Sequence, residues 1–245
     1  MQEQPLGRIP AGRRIYAIGD IHGRDDLLGE LHQRILGDAE DAGHLAMTVI
    51  YLGDYIDRGP GSRRVIDMLL RGPPPGLAAI YLLGNHEAML LDFLEDPAGG
   101  QMWMFNGGDA TLESYEVDSN VGRGRGAYGQ LQAAARAALP PDHLAFLRAL
   151  ELTHRDGDYF FCHAGVRPDV ALDAQDAHDL VWIRDEFLEC DAALDKIVVH
   201  GHSISDEVNF RPYRIGVDTG AWFSGHLSAL VLEGDQRRVI ETGVR

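Results

Sequence analysis

The sequence predicts an α+β fold in which helices flank a largely parallel sheet and antiparallel strands follow near the end of the chain. Three strand–turn–helix units fill the first hundred residues, and such alternation is typical of parallel sheets. The last part of the chain contains short apolar runs separated by turns, which predicts antiparallel strands. A chain of 245 residues that is 45% hydrophobic supports one substantial core. We therefore expect a single domain over residues 1–245.

Each of the three units begins with a short apolar strand that ends in a polar turn containing glycine. The strands are Arg14–Ile18, Val49–Leu52 and Ala79–Leu83. A helix is expected after each turn. Asp25 and Asp26 lie in the first turn of the first helix, where acidic residues are favoured, and Ser62 is expected to cap the second.

Residues 96–130 interrupt this pattern. Gly-Gly pairs, Trp103 and the glycine–arginine run at 122–126 predict an irregular excursion with some helix. Two interpretations remain open: a loop over the active-site face that selects substrate, or a tolerated surface insertion. Arg123 and Arg125 could likewise contact a substrate phosphate or belong to a solvated basic loop.

The second half of the chain predicts two helices, over 130–139 and 142–150, and two more buried strands. These strands, Tyr159–Cys162 and Ile197–Val199, end in His163 and in His200-Gly201-His202. A single helix is expected over Asp179–Leu188, including Arg184. The antiparallel strands are expected at Val208–Phe210, Tyr213–Val217, Leu227–Leu232 and Arg238–Glu241.

Five apolar strands thus end in residues that can bind metal ions. These residues are Asp20, His22, Asp54, Asn85, His163 and His202. Sites in open α/β sheets collect beyond the carboxyl ends of the strands, so we expect these side chains to converge. Oxygen and imidazole ligands without thiolate suit Mn²⁺, Fe or Zn²⁺. Six ligands exceed the need of one catalytic metal, which predicts two divalent ions bridged by one carboxylate.

The run Gly53–Gly59 places two carboxylates and a guanidinium directly after a buried strand. Carboxylates near a core are costly unless a cation or hydrogen-bond donors offset them. A bound metal explains the two acids, and Arg58 then faces the same site as an anion receptor. Alone, the run would equally fit a polar loop with an Asp–Arg pair at the surface.

Composition excludes some classes of partner. A net charge of −16 disfavours nucleic acid, and with it nuclease activity, and it disfavours an anionic membrane surface. An anionic substrate remains compatible, because metals and arginines can make one cleft positive. Two cysteines, no apolar leader and no membrane-spanning run predict a cytoplasmic protein without disulfides.

Five motifs in order make the sequence recognisable: GDIHG at 19–23, GDYIDRG at 53–59, GNHE at 84–87, CHAG at 162–165 and VHGH at 199–202. The chain resembles the phosphoprotein phosphatase branch of the calcineurin-like metallophosphoesterases, and is most similar to small bacterial and phage serine/threonine phosphatases. The resemblance covers residues 14–232. It implies a four-layer α/β/β/α sandwich of two mixed sheets, with the metals at one edge.

The resemblance also implies roles for individual residues. Asp20 and His22 would bind the first metal, Asp54 would bridge, and the second metal's ligands would be Asn85, His163 and His202. A hydroxide bridging the two metals would attack phosphorus directly, without a covalent phosphoenzyme. His86, held by Asp57, would protonate the leaving oxygen, and the phosphoryl oxygens would be bound by Arg58, Asn85 and Arg184. A histidine paired with a carboxylate has a suitable pKa for this acid, and a guanidinium matches phosphate oxygens.

Some assignments have competing interpretations. Arg184 could be an ordinary arginine on a helix surface. His200 could orient a ligand or be purely structural. Glu87 is expected to be a buried partner in its turn rather than a ligand.

The predicted activity is metal-dependent hydrolysis of phosphate monoesters, with phosphorylated proteins or peptides as substrates and Mn²⁺ favoured over Fe or Zn²⁺. Small phosphate esters are possible additional substrates. The alternative is a hydrolase of dinucleoside polyphosphates, which the same motifs serve in a related branch. A non-catalytic phosphoprotein-binding module is disfavoured because none of the motifs is degraded.

Overall fold

The protein is described from a computed structural model, which describes residues 7–40, 43, 45–120, 127–190 and 193–243. Two five-stranded sheets form its centre. The strands in chain order are β1 Arg13–Ile18, β2 Ala46–Tyr51, β3 Ala78–Tyr81, β4 Thr153–Asp156, β5 Tyr159–Cys162, β6 Ile197–His200, β7 Asn209–Phe210, β8 Arg214–Gly216, β9 Ser228–Glu233 and β10 Gln236–Glu241.

The first sheet has the order β10-β9-β1-β2-β3. Strands β1, β2 and β3 are parallel, and β9 pairs antiparallel with both β1 and β10. The second sheet has the order β4-β5-β6-β8-β7. There β5, β6 and β8 are parallel, while β4 and β7 are antiparallel to their neighbours. Both sheets are therefore mixed, with a parallel centre that directs several carboxyl ends to one edge.

Helices cover the outer faces. Their bounds are α1 Asp25–Glu40, α2 Ser62–Leu70, α3 Asn85–Glu95, α4 Gly100–Phe105, α5 Gly108–Ser114, α6 Ala127–Ala138, α7 Pro141–Arg148, α8 Ala177–Trp182, α9 Asp185–Leu188 and α10 Ala221–Ser224, with a 3₁₀ turn at Pro97–Gly99.

Alternation along the strands separates the layers, because successive side chains point to opposite faces of a sheet. In β1, Tyr16 and Ile18 pack with α1 and α2, whereas Ile15 and Ala17 face the second sheet. In β5, Phe161 faces the first sheet and Phe160 packs under α8 and α9. The result is the expected α/β/β/α sandwich, with one apolar core between the sheets and one beneath each helical layer.

Most predicted elements are present, with three differences. Strand β4 was not predicted. The helix expected over Asp179–Leu188 is two short helices, and Arg184 lies in the non-helical link between them with φ −131° and ψ −96°. The predicted cap of α2 is wrong: Gly61 occupies that position without a side-chain bond. The Ser62 hydroxyl instead accepts the backbone N–H of Asp57.

The excursion at 96–130 contains more helix than the sequence suggested, since it includes α4, α5 and the start of α6. Arg123 and Arg125 lie outside the described residues. Cys162 and Cys190 are not joined by a disulfide. Within the described part of the chain, every helix is too short or too polar to span a bilayer.

Candidate metal centre

The six candidate ligands lie where strands end. Asp20 and His22 follow β1, and Asp54 follows β2. Asn85 opens α3 just after β3, and the second sheet contributes His163 after β5 and His202 after β6. All six are buried, with side chains that are at most 5% exposed. The structure thus brings the predicted set to one edge shared by both sheets.

The turns that carry these residues have an unusual backbone. Among the described non-glycine residues, positive φ occurs only at His22, Asp54, Asp57, Arg58, His202 and Glu116. Left-handed backbone is unfavourable for residues with a Cβ. Strained backbone of this kind concentrates at functional sites, and all but Glu116 belong to this site.

Asp54 lies at the centre of the cluster. One oxygen, Oδ2, is 3.5 Å from His22 Nε2 and 3.8 Å from His86 Nε2, and the other, Oδ1, is 3.4 Å from His163 Nε2. Two groups of possible ligand atoms, each within 4.8 Å of one another, share this residue: one with His22 and His86, the other with His163 and His202. Asp54 is therefore placed to bridge two ions.

The remaining oxygen ligands lie against the same groups. Asn85 Oδ1 is 2.9 Å from His163 Nε2. Asp20 accepts the backbone N–H of His202 at 3.0 Å, and its carboxylate lies beside that of buried Asp218.

The histidine rings are oriented for metal binding through Nε2. The Nδ1 atom of His22 bonds the carbonyl of Ile56 at 2.9 Å, and Nδ1 of His163 bonds the carbonyl of Leu52 at 2.8 Å. Such backbone partners fix the tautomer of metal-binding histidines. His202 Nε2 is buried and has no hydrogen-bond partner in the structure. An orphaned buried nitrogen is costly, and a metal ion would satisfy it.

The pKa values of the buried acids and of His163 also indicate that the cluster needs positive charge. Burial and the nearby Asp218 carboxylate raise the pKa of Asp20 well above its usual value. Burial opposes ionisation of Asp54, yet His163 and His86 hold its pKa well below the usual range. Burial lowers the pKa of His163, but Asp54 outweighs burial and raises that pKa to about 10. A protonated His163 supplies positive charge that a divalent ion would bring, and metal binding would displace its proton.

The other two ligand histidines are neutral. Burial and the neighbouring His86 lower the pKa of His22 to about 3. Burial, followed by the positive charges of His163 and Arg184, lowers the pKa of His202 to about 2. Neutral imidazoles and ionised carboxylates are the forms that bind metals. The residues present therefore fit a site for two divalent ions.

His86, which also belongs to the first group of possible ligand atoms, forms a buried pair with Asp57. His86 Nδ1 donates to Asp57 Oδ2 at 2.7 Å, and both side chains are at most 1% exposed. Burial lowers the pKa of His86, but the charges of Asp54 and Asp57 outweigh it and raise the pKa above its usual value. The geometry leaves Nε2 of His86 facing Asp54.

Arg58 lies next to this pair. Its Nη2 donates to His86 Nε2 at 3.1 Å, and its guanidinium is 5.6 Å from the centre of the Trp222 ring. Arg184 is exposed, and it is close enough to His202 to influence the pKa of that ring. Its place in a link between helices contradicts the helical position expected for it and leaves it at the rim of the cluster.

Glu87 and His200 are also buried near the cluster, and His200 Nε2 has no hydrogen-bond partner in the structure. Glu87 accepts four backbone N–H groups, including that of Asp54, and is not directed to the ligand cluster. His200 is buried with its ring edge-on to Phe187 at 5.1 Å between centroids. Its Nδ1 bonds the carbonyl of Gly201 at 3.0 Å.

Four residues near the site were not predicted. Asp218 follows β8 in the same way that Asp54 follows β2, so the strand-end pattern could have identified it. Trp103 and Thr111 contact Asp57 from the excursion, and no local pattern signals this contact. Trp222 precedes the exposed Phe223. No sequence pattern in this part of the chain indicates that Trp222 lies near Arg58.

A family profile for calcineurin-like phosphoesterases matches residues 13–228. The chain therefore belongs to that family, and it is a metal-dependent phosphatase by family membership.

The chain is also similar to individual proteins of known name. The chain is 29% identical over 225 residues to "Serine/threonine-protein phosphatase 2" of Escherichia coli strain K12, covering 88% of this chain and 91% of that protein. It is 24% identical over 234 residues to the asymmetrical bis(5'-nucleosyl)-tetraphosphatase PrpE of Bacillus mycoides, covering 87% and 88%. The solved cold-active protein-tyrosine phosphatase of a Shewanella species superposes with a TM-score of 0.57 at 19% identity, covering 96% and 83%, which shows a shared fold.

Proposed function

We propose that this protein is a serine/threonine protein phosphatase that hydrolyses phosphate monoesters at the cluster around Asp54. The observation that carries the proposal is the His86–Asp57 pair, 2.7 Å apart, beside a carboxylate shared by two groups of ligand atoms. Phosphoserine and phosphothreonine have poor alkoxide leaving groups, so their hydrolysis needs a general acid next to the metals. The similarity to the E. coli serine/threonine phosphatase over most of both chains supports this substrate class.

In this proposal, the residues Asp20, His22, Asp54, Asn85, His163 and His202 would hold two divalent ions, with Mn²⁺ as the favoured ion. When bound, such a pair acidifies water and neutralises charge on phosphoryl oxygens.

The protein's own residues bind the phosphoryl group and supply the proton for the leaving oxygen. Arg58, Arg184 and Asn85 bind the phosphoryl oxygens and orient the ester. Water loses one proton to solvent and adds its oxygen to phosphorus, the phosphorus–oxygen ester bond breaks, and His86 Nε2 gives its proton to the leaving oxygen. His86 then regains a proton from solvent. Because the Arg58 guanidinium now donates to that same Nε2, an entering phosphoryl group would accept from Arg58 and free Nε2 to hold the proton.

The test uses metal-stripped protein to which Mn²⁺ is restored, with a phosphothreonine peptide, an aryl phosphate and diadenosine tetraphosphate as substrates. We expect metal-dependent turnover of the peptide. His86→Ala should reduce kcat on the peptide by about 100-fold or more and have much less effect on an aryl ester with a good leaving group. Full activity of His86→Ala on the peptide would contradict the general-acid role.

A second candidate is hydrolysis of dinucleoside polyphosphates. It is favoured by the similarity to the Bacillus mycoides tetraphosphatase over nearly as much of the chain. Turnover of diadenosine tetraphosphate alone would establish this candidate and exclude the protein phosphatase.

As for location, two cysteines without a disulfide fit a reducing compartment such as the cytoplasm.

A further inference from the structure

The Asp57 carboxylate accepts hydrogen bonds from three side chains, two of which come from the excursion. Besides His86, the indole Nε1 of Trp103 donates to Oδ1 at 3.1 Å and Oδ2 at 3.0 Å. The hydroxyl of Thr111 donates to Oδ1 at 2.6 Å. All four residues are almost completely buried. Each oxygen of Asp57 therefore has a defined partner.

Two glycine residues of the excursion allow its helices to make these hydrogen bonds. Trp103 lies on α4 and Thr111 on α5, and Gly107 between the helices has a left-handed φ of 98°. The Gly107 carbonyl accepts the backbone N–H of Arg58 at 3.1 Å. A Cβ at Gly108 would lie 2.5 Å from the Trp103 ring, so glycine there lets the indole fit. These contacts tie the excursion to the turn after β2.

Thr111 also fixes the backbone of Asp57. Its hydroxyl oxygen accepts the Asp57 N–H at 2.8 Å and lies 3.0 Å from the Ser62 hydroxyl. Asp57 has a φ of 71°, a left-handed backbone that is uncommon for residues with a Cβ. Hydrogen bonds to both the backbone and the carboxylate of one residue fix where the carboxylate points, and this in turn fixes the ring that donates to it.

We propose that Trp103 and Thr111 are positioning residues for the reaction: they hold the Asp57 carboxylate so that it orients the His86 ring toward the leaving oxygen. This inference rests on the proposed function, in which His86 is the general acid. It assigns the excursion a part in the chemistry that neither substrate selection nor a tolerated insertion provides. Catalytic groups need support of this kind because small errors in their placement greatly reduce rates.

A role through the general acid has a distinctive kinetic signature. Protonation of the leaving oxygen matters most when the leaving group is poor and least when it is good. A purely structural role would reduce turnover of all esters by a similar factor. The dependence of kcat on the leaving group therefore separates the two.

The experiment compares Thr111→Val, Thr111→Ser and Trp103→Phe with the full-length, Mn²⁺-loaded protein on a series of aryl phosphates. Thr111→Val removes the hydroxyl, Thr111→Ser keeps it, and Trp103→Phe removes the indole N–H while keeping an aromatic ring. The control is Thr242→Val, because Thr242 is equally buried and its hydroxyl accepts the backbone N–H of Leu227 at 2.8 Å away from the site. Thermal melts and metal content establish folding.

We expect Thr111→Val and Trp103→Phe to reduce kcat by about tenfold or more on the poorest leaving groups and by less than about threefold on the best. Thr111→Ser should restore the wild-type dependence, and Thr242→Val should leave it unchanged. A uniform loss over the whole series, or wild-type dependence in both hydrogen-bond-deleting variants, would overturn the proposal. If Thr111→Val does not fold, the Trp103→Phe comparison decides.

A second measurement does not depend on activity. Proton NMR of the metal-free protein should show a downfield Nδ1 proton of His86, assigned by its loss in His86→Gln. Its shift should move or broaden in Thr111→Val and Trp103→Phe, and an unchanged resonance in both would overturn the proposal. If the wild-type protein cleaves no monoester, the proposed function fails, while this resonance still tests the positioning.

Discussion

Glu87 accepts the backbone N–H of Asp54 through Oε2 at 2.9 Å. The same carboxylate accepts the N–H groups of Gly84 at 3.1 Å, Tyr55 at 2.8 Å and Ile56 at 3.2 Å. One side chain at the start of α3 therefore fixes the turn that carries the ligand shared by both candidate metals. The expectation that Glu87 is a buried partner in its turn is confirmed by these hydrogen bonds.

Glu87→Gln should weaken this support. A glutamine side chain has one acceptor oxygen, and its NH₂ group would face backbone N–H donors that it cannot satisfy. We expect a loss of about 2 kcal/mol in the free energy of unfolding, measured by urea denaturation, together with reduced metal content. Glu95→Gln on the same helix is the control, because that side chain is 70% exposed. Equal stability of the two variants would show that the four hydrogen bonds do not matter.

Removal of metal should destabilise the protein, since the candidate ligands come from both sheets. Mn²⁺ at about 100 times its dissociation constant would stabilise the folded state by about 2.7 kcal/mol. For a chain of this size that corresponds to a rise in Tm of about 5–10 °C, measured by calorimetry on stripped and reloaded protein.

Asp54→Asn should reduce the bound metal from two ions to one or none, because it removes the shared charge. Asp235→Asn is a control, since that acid lies at the surface with a side chain that is 50% exposed. Retention of two ions by Asp54→Asn, measured by elemental analysis, would refute the bridging role.

Trp222 should affect phosphate binding through Arg58. The guanidinium lies 5.6 Å from the ring centre, a distance at which a cation–π contact at an accessible site contributes about 0.5–1 kcal/mol. Trp222→Ala should raise KM for a phosphate monoester by about two- to fivefold, with a smaller change in kcat. Phe223→Ala removes a neighbouring aromatic side chain that is 59% exposed, and we expect it to leave KM unchanged. The reverse order of effects would contradict the contact with Arg58.

Asp38 should make stability depend on pH. It accepts from Tyr16 at 2.7 Å and Arg14 at 2.9 Å, and it pairs with Arg238 at 2.6 Å. Burial opposes its ionisation, but Arg238 and Tyr16 outweigh burial and lower its pKa. Because the folded-state pKa is depressed, the stabilisation is present above the usual value near 4 and is lost as pH falls through the folded-state pKa.

Asp38→Asn should therefore be less stable than wild type by about 2 kcal/mol at neutral pH, with the difference shrinking below about pH 4. Urea unfolding at several pH values measures this. Glu40→Gln is a matched control at the end of the same helix, because that side chain is exposed. A difference for Asp38→Asn that stays constant down to pH 2 would contradict the assignment.

Glu116 is the one described non-glycine residue with positive φ outside the candidate site, at +63°. It follows α5, where the N–H of Val117 bonds the carbonyl of Leu112, and such helix ends favour glycine. Glu116→Gly should stabilise the protein by about 1 kcal/mol. Glu113→Gly within α5 should destabilise it by a similar amount, so thermal melts of the pair should shift in opposite directions.

The strand-end pattern in the sequence predicted that the six candidate ligands would lie together, for a physical reason, whereas the sandwich was implied by the resemblance to a known family. Polar residues at the ends of buried apolar strands form a local pattern, and parallel strands bring their carboxyl ends to one edge. Asp54, His163 and His202 could therefore be expected to meet despite their distance along the chain.

Other features depend on tertiary contacts that no local pattern contains. The contact of Trp103 and Thr111 with Asp57 requires the excursion to fold back on the β2 turn. The break at Arg184 lies between Ile183 and Phe187, both buried against the second sheet, so packing rather than helix propensity decides it. Strand β4 lies at the edge of the second sheet and is partly exposed. It therefore lacks the apolar alternation that identifies a strand.

The five left-handed residues of the site have a consequence for protein engineering. Each opposes its own backbone preference by about 1–2 kcal/mol, and together they approach the net stability of a typical domain. Glycine at any of these five positions would relieve the backbone strain, but it would also remove a candidate metal ligand or a side chain that makes hydrogen bonds within the site. Engineering of a more thermostable enzyme should therefore keep these five residues and introduce stabilising substitutions elsewhere in the protein.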